Sequence, residues 1–490
     1  MSETAVEIFN EELETGALRR EASWSHAVWV ATGAPALVLF SIGGIAATVG
    51  SPSWLVWVLS VVIASFQMFT YAEVAGMFAH KSGGTAVSGS MAWLRYGKVF
   101  PALSVWCYWL GWTPVVAIGT GIASGYVLTG LFPANASINT WQFTLVNLSF
   151  VQDGLSLRIN SNFLLSVTLV LICFAVQHRG LLRAARLQAV VAAASLLPLG
   201  LIGIVPLITG HAPLSSFSPF APLAHDAQNN VIPGHWNMAG LTLFAGGLFI
   251  AAWSTYGVET CLIYTCEFRN PSRDTVKAAL GTSLLCLVFF ALVPISFQAA
   301  IGLKGLLDPG IYDGSGVGAA MAHMIGLSGM AANAIVAMLI LALLLSILTA
   351  TAGSSRTLYQ ASTDGFLPKY LSTVNEHGTP MKAMWTDLGF NILLLTISNN
   401  IFLLAISNVC YLVFIFLNLQ SGWIHRMDRP DWRRPFKAPN WLLGVGAILG
   451  FANMFLTGMG AGSYGSGLLP YLALVGGGFA VWLGYHLAVY

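Results

Sequence analysis

Three acidic side chains stand inside long apolar runs of this 490-residue chain: Glu73, Glu259 and Asp387. An unpaired charge at bilayer depth costs at least about 2.5–3.5 kcal/mol, so acids kept in such runs are informative. Glu73 and Asp387 fall toward the ends of their runs, where a helix-end or ion-pair role suits them. Glu259 stands deeper, in W-S-T-Y-G-V-E-T-C at 253–261. It could serve as a buried hydrogen-bonding group, or bind a proton or a substrate. Two runs also carry residues that dislike helix interiors, A-T-G-A-P-A at 31–36 and A-W-S-T-Y-G at 252–257. Gly33 with Pro35, and Ser254, Thr255 and Gly257 together, are the expected break points. Trp106, Tyr108, Trp109 and Trp112 cluster in one run, and Trp253 and Tyr256 flank the second break. Such rings can gate a pathway or hold an ammonium group by a cation–π contact, and they also serve as interfacial anchors.

The elements that must position these groups are membrane helices. Only 8% of residues are charged, against roughly 25% in a soluble domain. Hydrophobic residues make up 56% and the mean hydropathy is +0.74. So little charge cannot cover a soluble protein of this size. Twelve apolar runs of spanning length are expected, near 27–49, 54–79, 99–131, 162–178, 187–209, 239–266, 278–302, 331–361, 383–398, 400–421, 440–458 and 467–489. With the N-terminus inside, all 21 basic residues except Arg158 and Lys304 fall on the cytoplasmic side. This obeys the positive-inside rule and puts both termini in the cytoplasm. Residues 1–26 read as an acidic cytoplasmic tail, without the basic start of a signal peptide. An amphipathic turn is expected near Ile8, Phe9 and Leu13. The connection holding Asp153-Gly154 alternates in the manner of a small hairpin.

Broken helices line cavities at membrane depth. Breaks in the first and sixth runs are what a five-plus-five inverted repeat with a midplane site predicts. The transport core is then 27–421, followed by a cytoplasmic loop and two further spans within 422–490. Several functions are excluded. A net charge of +2 offers no basic patch for nucleic acid. No phosphate-binding G-x-x-x-x-G-K-[ST] loop, zinc-spaced histidine pair or G-x-S-x-G elbow is present, so no enzyme and no cofactor are expected. The six cysteines lie in or beside apolar runs and read as small buried hydrophobes.

Three segments resemble the amino acid–polyamine–organocation transporters. T-C-E-F-R-N-P-S-R-D at 265–274 is similar to the family's E-x-x-N-P-x-R signature. S-R-T-L-Y-Q-A-S-T-D-G-F-L-P at 355–368 with H-G-T-P at 377–380 is a second match, and Y-A-E-V-A at 71–75 with K-S-G-G at 81–84 a third. The resemblance implies an all-α integral membrane protein of twelve transmembrane helices, a LeuT-like inverted repeat with discontinuous first and sixth helices. It implies a secondary transporter of amino acids or related amines in the cell membrane, working by alternating access. A polyamine or biogenic amine carrier, or a passive channel, is the alternative. The implied substrate-binding residues are Ala31, Gly33, Ala34 and Pro35, then Tyr108, Gly111 and Trp112, then Trp253, Ser254, Tyr256 and Gly257, and Ala350. Trp253 and Tyr108 match gating positions, and Glu259 a proton-coupling one. The expected partners are a small amino acid or amine, a proton or sodium ion, and the bilayer. Ser346 and Thr349 could offer sodium ligands or bond back to their own helix. Two departures stand out: Gly33-Ala34-Pro35 replaces the family's G-S-G, and the fifth run lacks a lysine.

Overall fold

The computed structural model describes residues 18–133, 135–210, 213–312, 314 and 316–463, with 476, 477, 479, 480 and 484 beyond. The expected turn around Ile8 and most of the twelfth span lie outside the described residues. The described residues are all-helical apart from two small hairpins and their connections. The first helical run divides into α1 (Trp24–Val30), α2 (Gly33–Ala36) and α3 (Val38–Val49). There follow α4 (Ser53–Met77), α5 (Val99–Leu131), α6 (Ser161–Gln177) and α7 (Leu181–Ile208). The second half holds α8 (Met238–Thr255), α9 (Pro271–Leu306), α10 (Met330–Thr363), α11 (Met381–Leu394), α12 (Asn400–Asp428) and α13 (Asn440–Gly460).

Among the described residues, 8 helices are long and apolar enough to cross a membrane, or 9 with the bent first pair. Of the remaining expected runs, the fourth and ninth form shorter helices and most of the twelfth lies outside the described residues. The helix of the fourth run, α6, has 17 residues and that of the ninth, α11, has 14, short of the roughly 20 that a bilayer requires. The helix of the fifth run, α7, begins at Leu181 instead of 187 and so takes in Arg183 and Arg186. The helix of the tenth run, α12, continues past 421 to Asp428. Asn160, just before the fourth run, caps α6, its side chain accepting from Phe163 N.

Both breaks are visible, in different forms. Around the first, the two halves are bent by 45°. At the second, α8 ends at Thr255 and the chain continues as a 3-10 helix, Tyr256–Glu267, of 12 residues. Runs of 3-10 helix beyond three or four residues are uncommon and mark a functional hinge or strain. All of that segment is buried.

The expected hairpin forms from β1 (Gln142–Asn147) and β2 (Ser156–Asn160), antiparallel, with Gly154 at φ 75° in the turn. It is fastened to the connection after α11 by Arg158 N donating to Thr396 O at 2.7 Å and Ser398 N to Ser156 O at 2.9 Å. A second hairpin pairs β3 (Leu223–His225) with β4 (Val231–Pro233). Its turn is closed on Asp226, whose carboxyl is held below the usual range by hydrogen bonds from Asn230. All six cysteines are free and buried, as their apolar setting predicts.

Candidate functional site

The two breaks meet at the centre of the bundle. Ser41 and Ser254 share a hydrogen bond of 2.8 Å, joining α3 to the end of α8. A Cβ on Gly257 would lie 3.1 Å from Trp112 Cη2 and 3.4 Å from Ala34 Cβ. Gly257 therefore leaves little room for a side chain against two other sequence-predicted residues, Trp112 and Ala34. Helix α10 closes on the first break. Ser346 Oγ donates to Gly33 O at 2.7 Å, and Thr349 Oγ1 to Val30 O at 2.5 Å. These hydroxyls cross to the broken helix instead of only bonding back within their own. A Cβ at Gly33 would stand 2.4 Å from both Leu345 O and Thr349 Oγ1, and the first is backbone that cannot move aside. Gly33→Ala should push the break off α10 at a cost of about 1–3 kcal/mol or more. Heat stability and uptake both fall if this holds; wild-type values in both would remove the close approach from the account.

Glu259 lies in the 3-10 segment, 1% exposed. Trp112 Nε1 donates to its Oε1 at 3.3 Å. Tyr108 and Tyr411 stand beside the same carboxyl. Tyr411 spends its hydroxyl on Tyr256 O at 3.0 Å. Glu259 Oε2 and the Tyr108 hydroxyl are both buried, and neither makes a well-formed hydrogen bond among the described residues, although the two stand close enough to interact with each other. A buried polar atom left unsatisfied costs about 1–3 kcal/mol, so such a pair invites a ligand group. The walls are aromatic. Tyr108 packs on Phe414 with ring centroids 4.6 Å apart, and Trp112 meets Tyr411 edge-on at 6.0 Å.

Other predicted residues are placed less centrally. Trp253 Nε1 donates to Ser407 Oγ at 2.8 Å, and Ser407 in turn to Gly111 O at 2.6 Å. Tyr256 directs its hydroxyl to Asn453 at 2.9 Å, on α13. Pro35 lines a narrow apolar crevice against Leu196, Leu199 and Phe289. Ala31 and Ala350 are fully buried. The α12 residues Ser407, Tyr411 and Phe414 were not singled out from the sequence. The available signal was a serine, an asparagine and a tyrosine within five positions of an otherwise apolar run.

The three resembling segments are joined by ion pairs. Arg356 Nε meets Glu267 Oε1 at 2.6 Å, both side chains nearly inaccessible, and its guanidinium sits 4.9 Å from the Tyr264 ring centroid. Lys81 pairs with Asp364 at 2.5 Å, and Ser82 N donates to Gln360 Oε1 at 2.9 Å. Glu73 takes the ion-pair role expected of it, with Arg426 at 2.6 Å and Arg434 at 3.2 Å. Asp387 does not. It sits mid-helix, buried, and no basic side chain pairs with it among the described residues.

A helical bundle of this hydropathy, broken at its centre around a buried acid, is a multi-pass membrane protein of transporter type. The chain belongs to the amino acid permease family, whose model matches residues 23–479. It is 22% identical over 333 residues to a branched-chain amino acid permease of Lactococcus lactis, covering 67% of this chain and 65% of that protein. It is 25% identical over 309 residues to an arginine/ornithine antiporter of the same species, covering 59% and 52%. A histidine permease of Saccharomyces cerevisiae is 30% identical over 156 residues, 29% of this chain and 24% of the relative. Each match spans less than two thirds of the relative's own length. The family and these relatives are transporters, not enzymes.

Proposed function

We propose that this chain is a secondary active transporter of amino acids or related organic amines, working by alternating access across the cell membrane. In this reading it crosses twelve times with both termini cytoplasmic, and the first ten spans within 27–421 form the inverted-repeat core. The observation that carries it is the unsatisfied Glu259 Oε2 beside the unsatisfied Tyr108 hydroxyl, walled by Trp112 and Tyr411. An ammonium group fits that corner: it can donate to both the carboxylate and the phenol oxygen, and it brings a positive charge to the ring faces. When the ammonium leaves, a proton takes its place on Glu259, so substrate and proton exchange. Trp253 and Tyr108 act as the gates in this scheme. Sodium coupling is less favoured, because Ser346 and Thr349 already donate to Gly33 O and Val30 O.

One observation favours amines without a carboxylate. Pro35 has no N–H, and Ala34 N is committed to Ala31 O at 3.0 Å. Carboxylate recognition at the first break is accordingly weak. Purified protein in proteoliposomes should show saturable counterflow, which a passive channel cannot. One labelled substrate is then competed with matched pairs, each an amino acid and its decarboxylated amine. Comparable competition within pairs is expected. A uniform, strong preference for the acids would refute weak carboxylate recognition, and non-saturable flux would reject the carrier altogether.

A further inference from the structure

Asp387 is the buried acid that the proposed exchange at Glu259 does not use. Four side chains donate to its carboxyl. Trp109 Nε1 and Thr113 Oγ1, both on α5, reach Oδ1 at 2.8 and 2.5 Å. Ser354 Oγ of α10 reaches Oδ2 at 2.7 Å, and Asn391 Nδ2, one turn along α11, reaches it at 3.3 Å. The Asn391 amide also donates to Thr113 Oγ1 at 3.1 Å and to Asp387 O at 2.9 Å, tying the cluster together.

Among the described residues no counter-charge serves it. Helix α11 packs on α5, α6, α10 and the short segment Lys369–Ser372. Helices α5 and α6 carry no Asp, Glu, Lys, Arg or His; their titratable groups are Cys107, Tyr108, Tyr126 and Cys173. On α10, Tyr359 is a phenol and Arg356 is held by Glu267. Lys369 and Lys382 are exposed. A buried carboxyl in this position is an expensive residue to keep for packing alone.

The donor set identifies the ligand. Two of the four donors are N–H groups, which cannot turn into acceptors and which repel a metal cation. The other two are hydroxyls, which can reverse. Ser354 has a second acceptor in reach, Thr351 O at 3.4 Å. When a proton from water binds Oδ2, the new O–H donates to Ser354 Oγ, and Ser354 turns its own hydrogen to Thr351 O. Both the ionised and the neutral carboxyl are thereby satisfied. Trp109 and Thr113 lie one turn apart on α5, each one residue after Tyr108 and Trp112, the rings beside Glu259.

We propose that Asp387 is a second proton-binding site, in the contact between α5, α10 and α11, whose occupancy alters the hold on the helix that carries Tyr108 and Trp112. The link to transport rests on the proposed function; the proton site itself does not. Infrared difference spectra of purified, substrate-free protein, taken on acidification, test it directly. A protonated-carboxyl C=O band should survive in Glu259→Gln and vanish in Asp387→Asn. Ser354→Ala, which removes the reversible partner and keeps the acid, should move the pH midpoint of that band. In proteoliposomes, Asp387→Asn should remove one inflection from the pH profile of exchange. If every titrating carboxyl band disappears with Glu259→Gln, or if Ser354→Ala leaves all midpoints in place, Asp387 is a structural anion and the proposal fails. A protein that transports neither acids nor amines but retains the Asp387 band would overturn the proposed function alone.

Discussion

Glu259→Gln should abolish the pH dependence of exchange that comes from the central site while leaving the protein folded. In the proposed scheme, acidification adds a proton to Glu259, removes the carboxylate and weakens ammonium binding. The glutamine is neutral at every pH, so substrate binding should be weak and flat across the range. A hydrogen bond to a charged group contributes about 1.5–3 kcal/mol, which corresponds to a loss of tenfold or more in affinity. Trp112 can still donate to the glutamine oxygen at the position now 3.3 Å away, so folding has little reason to suffer. Binding titrations of purified protein at several pH values make the comparison. A variant with the wild-type affinity and pH profile would show that Glu259 is a structural hydrogen-bonding group.

Arg356→Met should be among the most destabilising single substitutions in the chain. It leaves Glu267 charged and buried at the end of the 3-10 segment, where the arginine is its salt-bridge partner. Breaking a buried pair from one side costs about 3–5 kcal/mol. The same segment end is stapled to the start of the first helix by Ala22 N donating to Glu267 O at 2.9 Å and Arg269 N to Ala22 O at 2.8 Å. Loss of the pair therefore frees the chain on both sides of the site at once. The combined Glu267→Gln, Arg356→Met variant removes the stranded charge and should recover much of the heat stability, without regaining exchange if the pair also holds the first and sixth segments together. Equal stability of the single and double variants would show that the stranded charge is not what destabilises the protein.

How much of this was legible beforehand differs by feature. Glu73, on α4, was readable as an ion-pair acid from its position, though its partners Arg426 and Arg434 lie some 350 residues on. Asp387 looked similar in sequence and proved different, because whether a basic residue lies opposite depends on which helices pack together. The breaks were marked by Gly33, Pro35 and Gly257, since backbone preference is local. Their forms were not: the second is a buried 3-10 helix instead of an unwound stretch. The three resembling segments were visible as separate strings, and nothing in the strings says that Arg356 of one grips Glu267 of another.

By itself the sequence determined that this is a membrane protein, since 8% charge leaves no soluble alternative, and roughly where its helices run and break. It also marked Glu259 as exceptional, because the cost of a buried charge is set by the apolar residues on either side of it. The tertiary structure alone decided which groups surround that acid. Tyr411 stands beside it and Ser407 of the same helix holds Trp253, neither of them singled out from the sequence, while Pro35 and the Tyr256 hydroxyl are turned elsewhere. Hydropathy is a sum along the chain and survives any folding. A hydrogen bond depends on the rotation of two helices about their axes, and that is settled only when their side chains pack against one another.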